Sequence, residues 1–257
     1  MKNILILPLV VLTLSLISWG PEGHSIVATV ADKHLTPHAK TAVTSILGGQ
    51  SMASVSSWAD ATRNTTTAPW HFLNLSIGLN YQQFWQAATN LATPSVYSEL
   101  RKLEVDIVNP ATPALQKTND LKYISHFISD AHQPMHTSRA SDRGGNDIKL
   151  SLEGIHTDLH ALWEGVLIKH KNSDYVSFAA HIDTATLQQI RQWQSDGMLQ
   201  WLYESYQASS KLYTEVQNGG TVNEAYYTSH TGIVENRLKM GGIRLAGVLN
   251  KLFAAAH

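Results

Sequence analysis

The sequence has no cysteine in its 257 residues, which excludes a disulfide framework, a thiolate metal site and a thiol nucleophile. It has no surplus of charge either: 19 Lys and Arg stand against 20 Asp and Glu, a formal net charge of −1. A broad basic surface that gathers polyanions is therefore excluded, and any phosphate recognition is local. Long apolar runs are missing after Ile17, so no later segment reads as a membrane span. Alternating strand patterns are scarce, "DIKLSL" (147–152) being the short candidate. No fixed-period repeat, low-complexity tract or Pro/Gly/Ser-rich linker divides the chain.

What is present begins with Lys2, an apolar stretch from Ile4 to Ile17 and the small Ser18 ahead of Trp19. That order is the pattern of a secretory leader. The expectation is a signal peptide over 1–18 and one folded domain over 19–257, secreted or periplasmic, with no transmembrane segment once the leader is removed. Helical apolar spacing dominates the rest: "SIVATVADKHL", "SVYSELRKLEVDIV", "NDLKYISHFISDAHQ", "TDLHALWEGVLIKH", "DGMLQWLYESYQASSKLY" and "GIVENRLKMGGIRLAGVLNKLF". Thr36 with Pro37 opens a further helix. The fold class expected is all-α, a single multi-helical domain, interrupted by polar loops over 56–76 and 133–148.

Without cysteine, core packing or metal must hold an exported chain together, which draws attention to its 13 His. His126 and Asp130 lie four apart on one predicted helix face, with His136 just beyond the helix end. His160 and Glu164 repeat that spacing on another helix. Imidazole with carboxylate suits zinc, and a helical interior can bring such pairs together. Asp60 in "SWADATR" and His71 in "PWHFLN" sit in the first loop beside aromatic residues that could wall off a metal. The remaining His, at 34, 38, 132, 156, 170, 181, 230 and 257, read as supporting or surface residues, although His156, four before His160, could face the same way.

Taken in order, Trp19, His24, "SWADATR", "HFLN", "ISHFISDAHQPMH", "GGN", "LHALWE" and "GGIRLAGVLN" resemble the zinc-dependent, single-strand-specific nucleases of fungi, plants and bacteria, the type I nuclease family, along the whole chain from Trp19 onward. The resemblance implies an all-helical fold with three zinc ions at the base of a cleft. It assigns Asp60, His71, His126 and Asp130 to the first zinc, and His136, His160 and Glu164 to the second. Trp19, through its free amine and carbonyl, would hold the third together with His24 and a bridging Asp130, reached from a short Gly20-Pro21-Glu22-Gly23 turn. It further implies in-line attack on phosphorus by a metal-activated water that Asp60 helps orient, with Arg63 spreading transition-state charge and a 5′-phosphate product. Phe72 would stack on an unpaired base, with Asn74, Gly144, Gly145 and Asn146 contacting it.

Two departures from the family pattern stand out: Glu164 replaces the Asp of many members, and Asn74 replaces an Asp, exchanging a pure acceptor for an amide that also donates. The expected function is a secreted nuclease on single-stranded DNA and RNA with 3′-nucleotidase activity. The alternative is a zinc phospholipase C, which shares the fold and carries Glu at the position of Glu164. A purely structural metal protein is a third reading, but structural sites fill every coordination position and need no open cleft.

Overall fold

The first helix, Gly20–His34, lies along the last, Glu224–Leu252, and this pair is the spine of the protein. The protein is described by a computed structural model over residues 19–170, 173–216 and 219–254, so the expected leader and His257 lie outside the described residues. The approach of the two helices explains the "GG" in "GGIRLAGVLN". A Cβ on Gly242 would lie 2.5 Å from Val30 Cβ and 2.9 Å from the Val27 carbonyl oxygen, so any larger residue there would force the helices apart.

Around the spine the helices start where side-chain caps dictate. Thr36 accepts from the Ala39 N–H with Pro37 in the first turn of Pro37–Ile46, and Ser95 with Ser98 forms a capping box at the head of Val96–Val108. Helix Ala114–Asp130 packs against Val96–Val108, turns Leu121, Ile124, Phe127 and Ile128 into the core, and ends before Pro134 as its sequence demands. Helix Met198–Val216 covers the other side of the segment that follows Asp130.

Two sequence expectations change. The Gly20-Pro21-Glu22-Gly23 stretch is the first turn of helix Gly20–His34 and not a separate turn. Proline is at home in a first helical turn, and Glu22 there meets the positive end of the helix dipole. The "HALWEGVLIKH" helix is not uniform, because it widens to a π-turn over Leu162–Val166.

The all-α expectation holds, with one small sheet. Lys149–Leu152, within the "DIKLSL" candidate, pairs antiparallel with Ile155–Asp158 and parallel with Gly220–Val222. The second strand carries His156 out to solvent, exposed on the hairpin and away from His160. Among the described residues no helix is long and apolar enough to cross a membrane.

Candidate metal centre

The centre forms where helix Ala114–Asp130 passes between the first helix and the two polar loops. The i, i+4 geometry predicted for His126 and Asp130 is present, with His126 Nε2 3.4 Å from Asp130 Oδ2. Asp130 is fully buried and is the hub. Its Oδ2 lies 2.9 Å from His71 Nδ1, and its Oδ1 lies 3.6 Å from His24 Nε2 and 3.5 Å from His136 Nδ1. His24 comes from the first helix and stacks flat on His126 at 3.8 Å between ring centroids. Trp19 caps that helix, and its indole N–H donates to the Ser129 carbonyl at 2.7 Å, one residue before Asp130.

The loops become short, ordered pieces. Trp58–Ala61 is a single helical turn, and Ala68–His71 and Pro134–His136 are 3₁₀ turns. The two loops bond to each other: the Leu73 N–H donates to the His136 carbonyl and the Leu75 N–H to the Ser138 carbonyl, each at 2.8 Å. Asp60 Oδ1 thereby comes within 3.4 Å of His126 Nε2 and 3.7 Å of His71 Nδ1. Its side chain is 14 % exposed, against 0 % for Asp130. Asp60 is thus the carboxylate of this group that solvent reaches. The aromatic wall is also there: Trp58 and Trp70 both meet Tyr123, and Tyr123 stacks on Phe127 behind His71.

The second predicted pair closes a further group. His160 Nε2 is 3.4 Å and His136 Nε2 is 3.8 Å from Glu164 Oε1. Three sets of donor atoms therefore converge, His24–His126–Asp130, Asp60–His71–His126 and His136–His160–Glu164. In each set the donors lie within 4.8 Å of one another. Backbone carbonyls fix which ring nitrogen faces inward. His126 Nδ1 bonds to Ser56 O at 2.7 Å, His136 Nδ1 to His71 O at 2.9 Å, and His160 Nδ1 to Gly144 O at 2.8 Å, leaving each Nε2 for the interior.

Electrostatics mark these groups as cation sites. Burial drives the imidazoles of His24, His71 and His136 far below their ordinary pKa. Burial likewise pushes the carboxyls of Asp130 well up and Glu164 up to about 7. His126 goes the other way, because burial opposes its charge but Asp130 and Asp60 outweigh it and raise it to about 9. Asp60 Oδ1, His136 Nε2 and Glu164 Oε1 are buried without a hydrogen-bond partner. Imidazole nitrogens and carboxyl oxygens aimed inward, three of them without a partner, are a donor set that fits zinc once their protons are displaced.

Above the donors, Phe72 is only partly buried and leans over the site, 4.7 Å from the His136 ring, with the Arg63 guanidinium 4.9 Å from its own centroid. Arg63 also donates to the Ala68 carbonyl at 3.4 Å. Phe72 is a rim residue and not a core one. The Asn74 side chain pairs with Ser138 Oγ at 3.3 Å. Gly144 and Gly145 take positive φ of 68° and 86°, and a Cβ on Gly145 would sit 2.8 Å from Met135 Cε. Asn146 donates its amide N–H to the Arg143 carbonyl at 2.6 Å.

The family-wide sequence model for S1/P1 Nuclease matches residues 19–254. The chain belongs to the S1/P1 nuclease family. Within it, this S1/P1 family member is 29 % identical to Endonuclease 2 of Arabidopsis thaliana, with 91 % of this chain and 90 % of that protein covered. It is 26 % identical to Nuclease P1 of Penicillium citrinum, covering 91 % and 97 %, and 28 % identical to Nuclease S1 of Aspergillus oryzae, covering 62 % and 59 %. The extent of the family match agrees with the resemblance of the ordered motifs.

Supporting residues escaped the sequence reading. Ser205, Ser209 and Tyr213, at i, i+4 and i+8 of helix Met198–Val216, donate to Ala131 O, Thr137 O and Asp142 Oδ1 at 2.6, 2.7 and 3.1 Å. That spacing is visible in "ESYQASSKLYT", but what the hydroxyls meet is not. His132, two beyond Asp130, is buried against Arg244 and takes no part in the donor sets. His170, hydrogen-bonded to Glu224 at the head of the last helix at 2.8 Å, and His34, hydrogen-bonded to Asp183 at 2.8 Å, lie outside the three converging sets.

Proposed function

We propose that the chain is an exported, zinc-dependent nuclease that hydrolyses single-stranded DNA and RNA to 5′-phosphorylated products and also removes the phosphate of 3′-nucleotides. The observation that carries this reading is the convergence of three donor sets on and beside a fully buried Asp130, beneath a rim made of one partly exposed ring and one arginine. Asp60, His71, His126 and Asp130 would hold one zinc, His136, His160 and Glu164 a second, and His24, Asp130 and the main chain of Trp19 a third. Removal of residues 1–18 would supply the free amine at Trp19. When bound, zinc supplies Lewis acidity for the phosphodiester and an acidified water as nucleophile.

The protein's own groups do the rest. Asp60, the solvent-reached carboxylate of its set, accepts a hydrogen bond from the attacking water and orients it. Arg63 offers a planar fork to the phosphate oxygens. Phe72 gives a π-face for an unpaired base, a contact open to any base and closed to a stacked duplex. In a protein of formal net charge −1 this local charge is what would draw the phosphate in. The phospholipase C alternative is not favoured, since the family match is to nucleases.

The test is hydrolysis by the zinc-loaded mature chain of single-stranded DNA, duplex DNA, a 3′-nucleotide and phosphatidylcholine, with and without EDTA. EDTA-sensitive cleavage of the single strand and the 3′-nucleotide is expected. Turnover of phosphatidylcholine alone, or turnover that survives EDTA, overturns the reading.

A further inference from the structure

The Gly144-Gly145 loop reaches the centre through one bond, from His160 Nδ1–H to the Gly144 carbonyl at 2.8 Å. Three successive residues there, Arg143, Gly144 and Gly145, have φ of 55°, 68° and 86°. A run of left-handed residues needs support from outside itself. Asp142 supplies it. The carboxylate is buried, and its Oδ1 accepts from the Gly145 N–H at 3.0 Å and from the Tyr213 O–H at 3.1 Å. Its Oδ2 accepts from Arg139 Nε at 2.6 Å, and the Arg139 guanidinium lies 4.0 Å from the Tyr213 ring centroid. Charge, hydroxyl and backbone thus hold one carboxylate, and that carboxylate holds the turn.

We propose that Asp142 is a positioning residue for the His136–His160–Glu164 donor set. By fixing the turn it places the Gly144 carbonyl that keeps the His160 proton on Nδ1, so that Nε2 faces Glu164. Without the turn the His160 ring is free to rotate or to carry its proton on the other nitrogen, and the donor set loses a ligand in register. Partners of this outer kind typically contribute about 10- to 100-fold to metal affinity. The effect falls on one donor set, because Asp130, His71, His24 and His126 are oriented by other contacts. The inference rests on the proposed zinc binding of this donor set, and on the nuclease reading for its kinetic arm alone.

The experiment compares Asp142→Ala, Asp142→Asn and Tyr213→Phe with the wild-type chain, each full-length mature and zinc-loaded. Zinc retained per chain is followed against rising chelator, with kcat and KM on single-stranded DNA and a circular dichroism check of folding. Asp142→Ala should release one zinc per chain at about 10- to 100-fold lower chelator, with kcat falling and restored by added zinc. Asp142→Asn, whose amide oxygen still accepts from Gly145 and Tyr213, should recover most of the retention. Tyr213→Phe should shift release in the direction of Asp142→Ala by less, and it keeps the proposal testable if Asp142→Ala does not fold. Release unchanged in Asp142→Ala, or in Tyr213→Phe if Asp142→Ala does not fold, or loss of all zinc together, overturns the proposal. A wild-type chain that holds zinc but cuts no nucleic acid defeats the nuclease reading and leaves the zinc arm to be read.

Discussion

Two buried polar clusters meet back to back across residues 130–132, and they solve the same problem in opposite ways. On one side Asp130 and Glu164 are buried among five histidines with no Lys and with Asp60 adding more negative charge. On the other, Arg244 is fully buried yet pairs with Asp196 at 2.6 Å and Glu204 at 2.7 Å, while Arg237 reaches Glu204 at 2.9 Å and the His132 carbonyl at 3.0 Å. Burial opposes the charge of Glu204, but the two arginines outweigh it and hold its carboxyl below the ordinary range. The arginine cluster is closed, each charge answered within the chain. The donor cluster is open: burial pushes the carboxyls of Asp130 and Glu164 up, Asp60 Oδ1, His136 Nε2 and Glu164 Oε1 have no hydrogen-bond partner, and a cation would complete it. On the proposed reading, a chain without cysteine uses one cluster to hold itself together and the other to do chemistry.

The sharpest way to break the comparison is to remove the hub of the open cluster. On the proposed assignment, in which Asp130 is a ligand of two zinc ions, Asp130→Ala should lose two zinc ions, not one, and lower kcat/KM on single-stranded DNA by about a thousandfold or more. Metal analysis beside kinetics decides it, and loss of a single zinc would remove the bridge. Next in size, Arg244→Met should unpair Asp196 and leave Glu204 to Arg237 alone, and cost about 3–5 kcal/mol in urea unfolding of the zinc-loaded protein. Zinc content should not change, because Arg244 bonds to Asp196, Glu204 and His132 and belongs to none of the donor sets; zinc loss in the folded variant would show the clusters to be coupled.

The open cluster should also answer to pH where the closed one does not. Without metal, Glu164 keeps its proton below about pH 7 and His126 below about pH 9. Both folded values are raised, so zinc must expel these protons. The stability zinc adds is therefore present at high pH and lost as pH falls through 9 and then 7. The difference in melting temperature between zinc-loaded and EDTA-treated protein should widen from pH 5.5 to 8.5, and calorimetry near pH 6 should register proton release on zinc binding. A gap independent of pH would contradict the shifts. The smallest effect belongs to the rim: Phe72→Ala should raise KM on single strands by about tenfold, the worth of one stacked base, with zinc retained.

Much of the open cluster was legible because chemistry restricts which residues can bind metal and local helix geometry sets their spacing. His126 with Asp130 and His160 with Glu164 are such pairs, and the loop residues Asp60, His71 and His136 were found by type and neighbours. The closed cluster was not legible. Nothing in the spacing of Asp196, Glu204, Arg237 and Arg244 marks them as partners, because only the packing of elements distant in sequence makes them neighbours. The same holds for strand Gly220–Val222, which has no alternation of its own and exists because Lys149–Leu152 lies beside it. The π-turn around Glu164 has no mark in the sequence, whereas the helical state of residues 20–23 had one, Pro21 and Glu22 in a first helical turn.

The hydroxyls of Ser205, Ser209 and Tyr213 have a consequence for how this protein can change length. Successive hydroxyls stand about 6 Å apart along the helix axis, one turn and a little more, so the helix works as a ruler against which Ala131, Thr137 and Asp142 are set. Loops ordinarily accept insertions freely. Here an added or deleted residue between Ala131 and Asp142 would leave at least one mark unmatched, so among descendants of this sequence that segment should keep its residue count while its surface side chains vary.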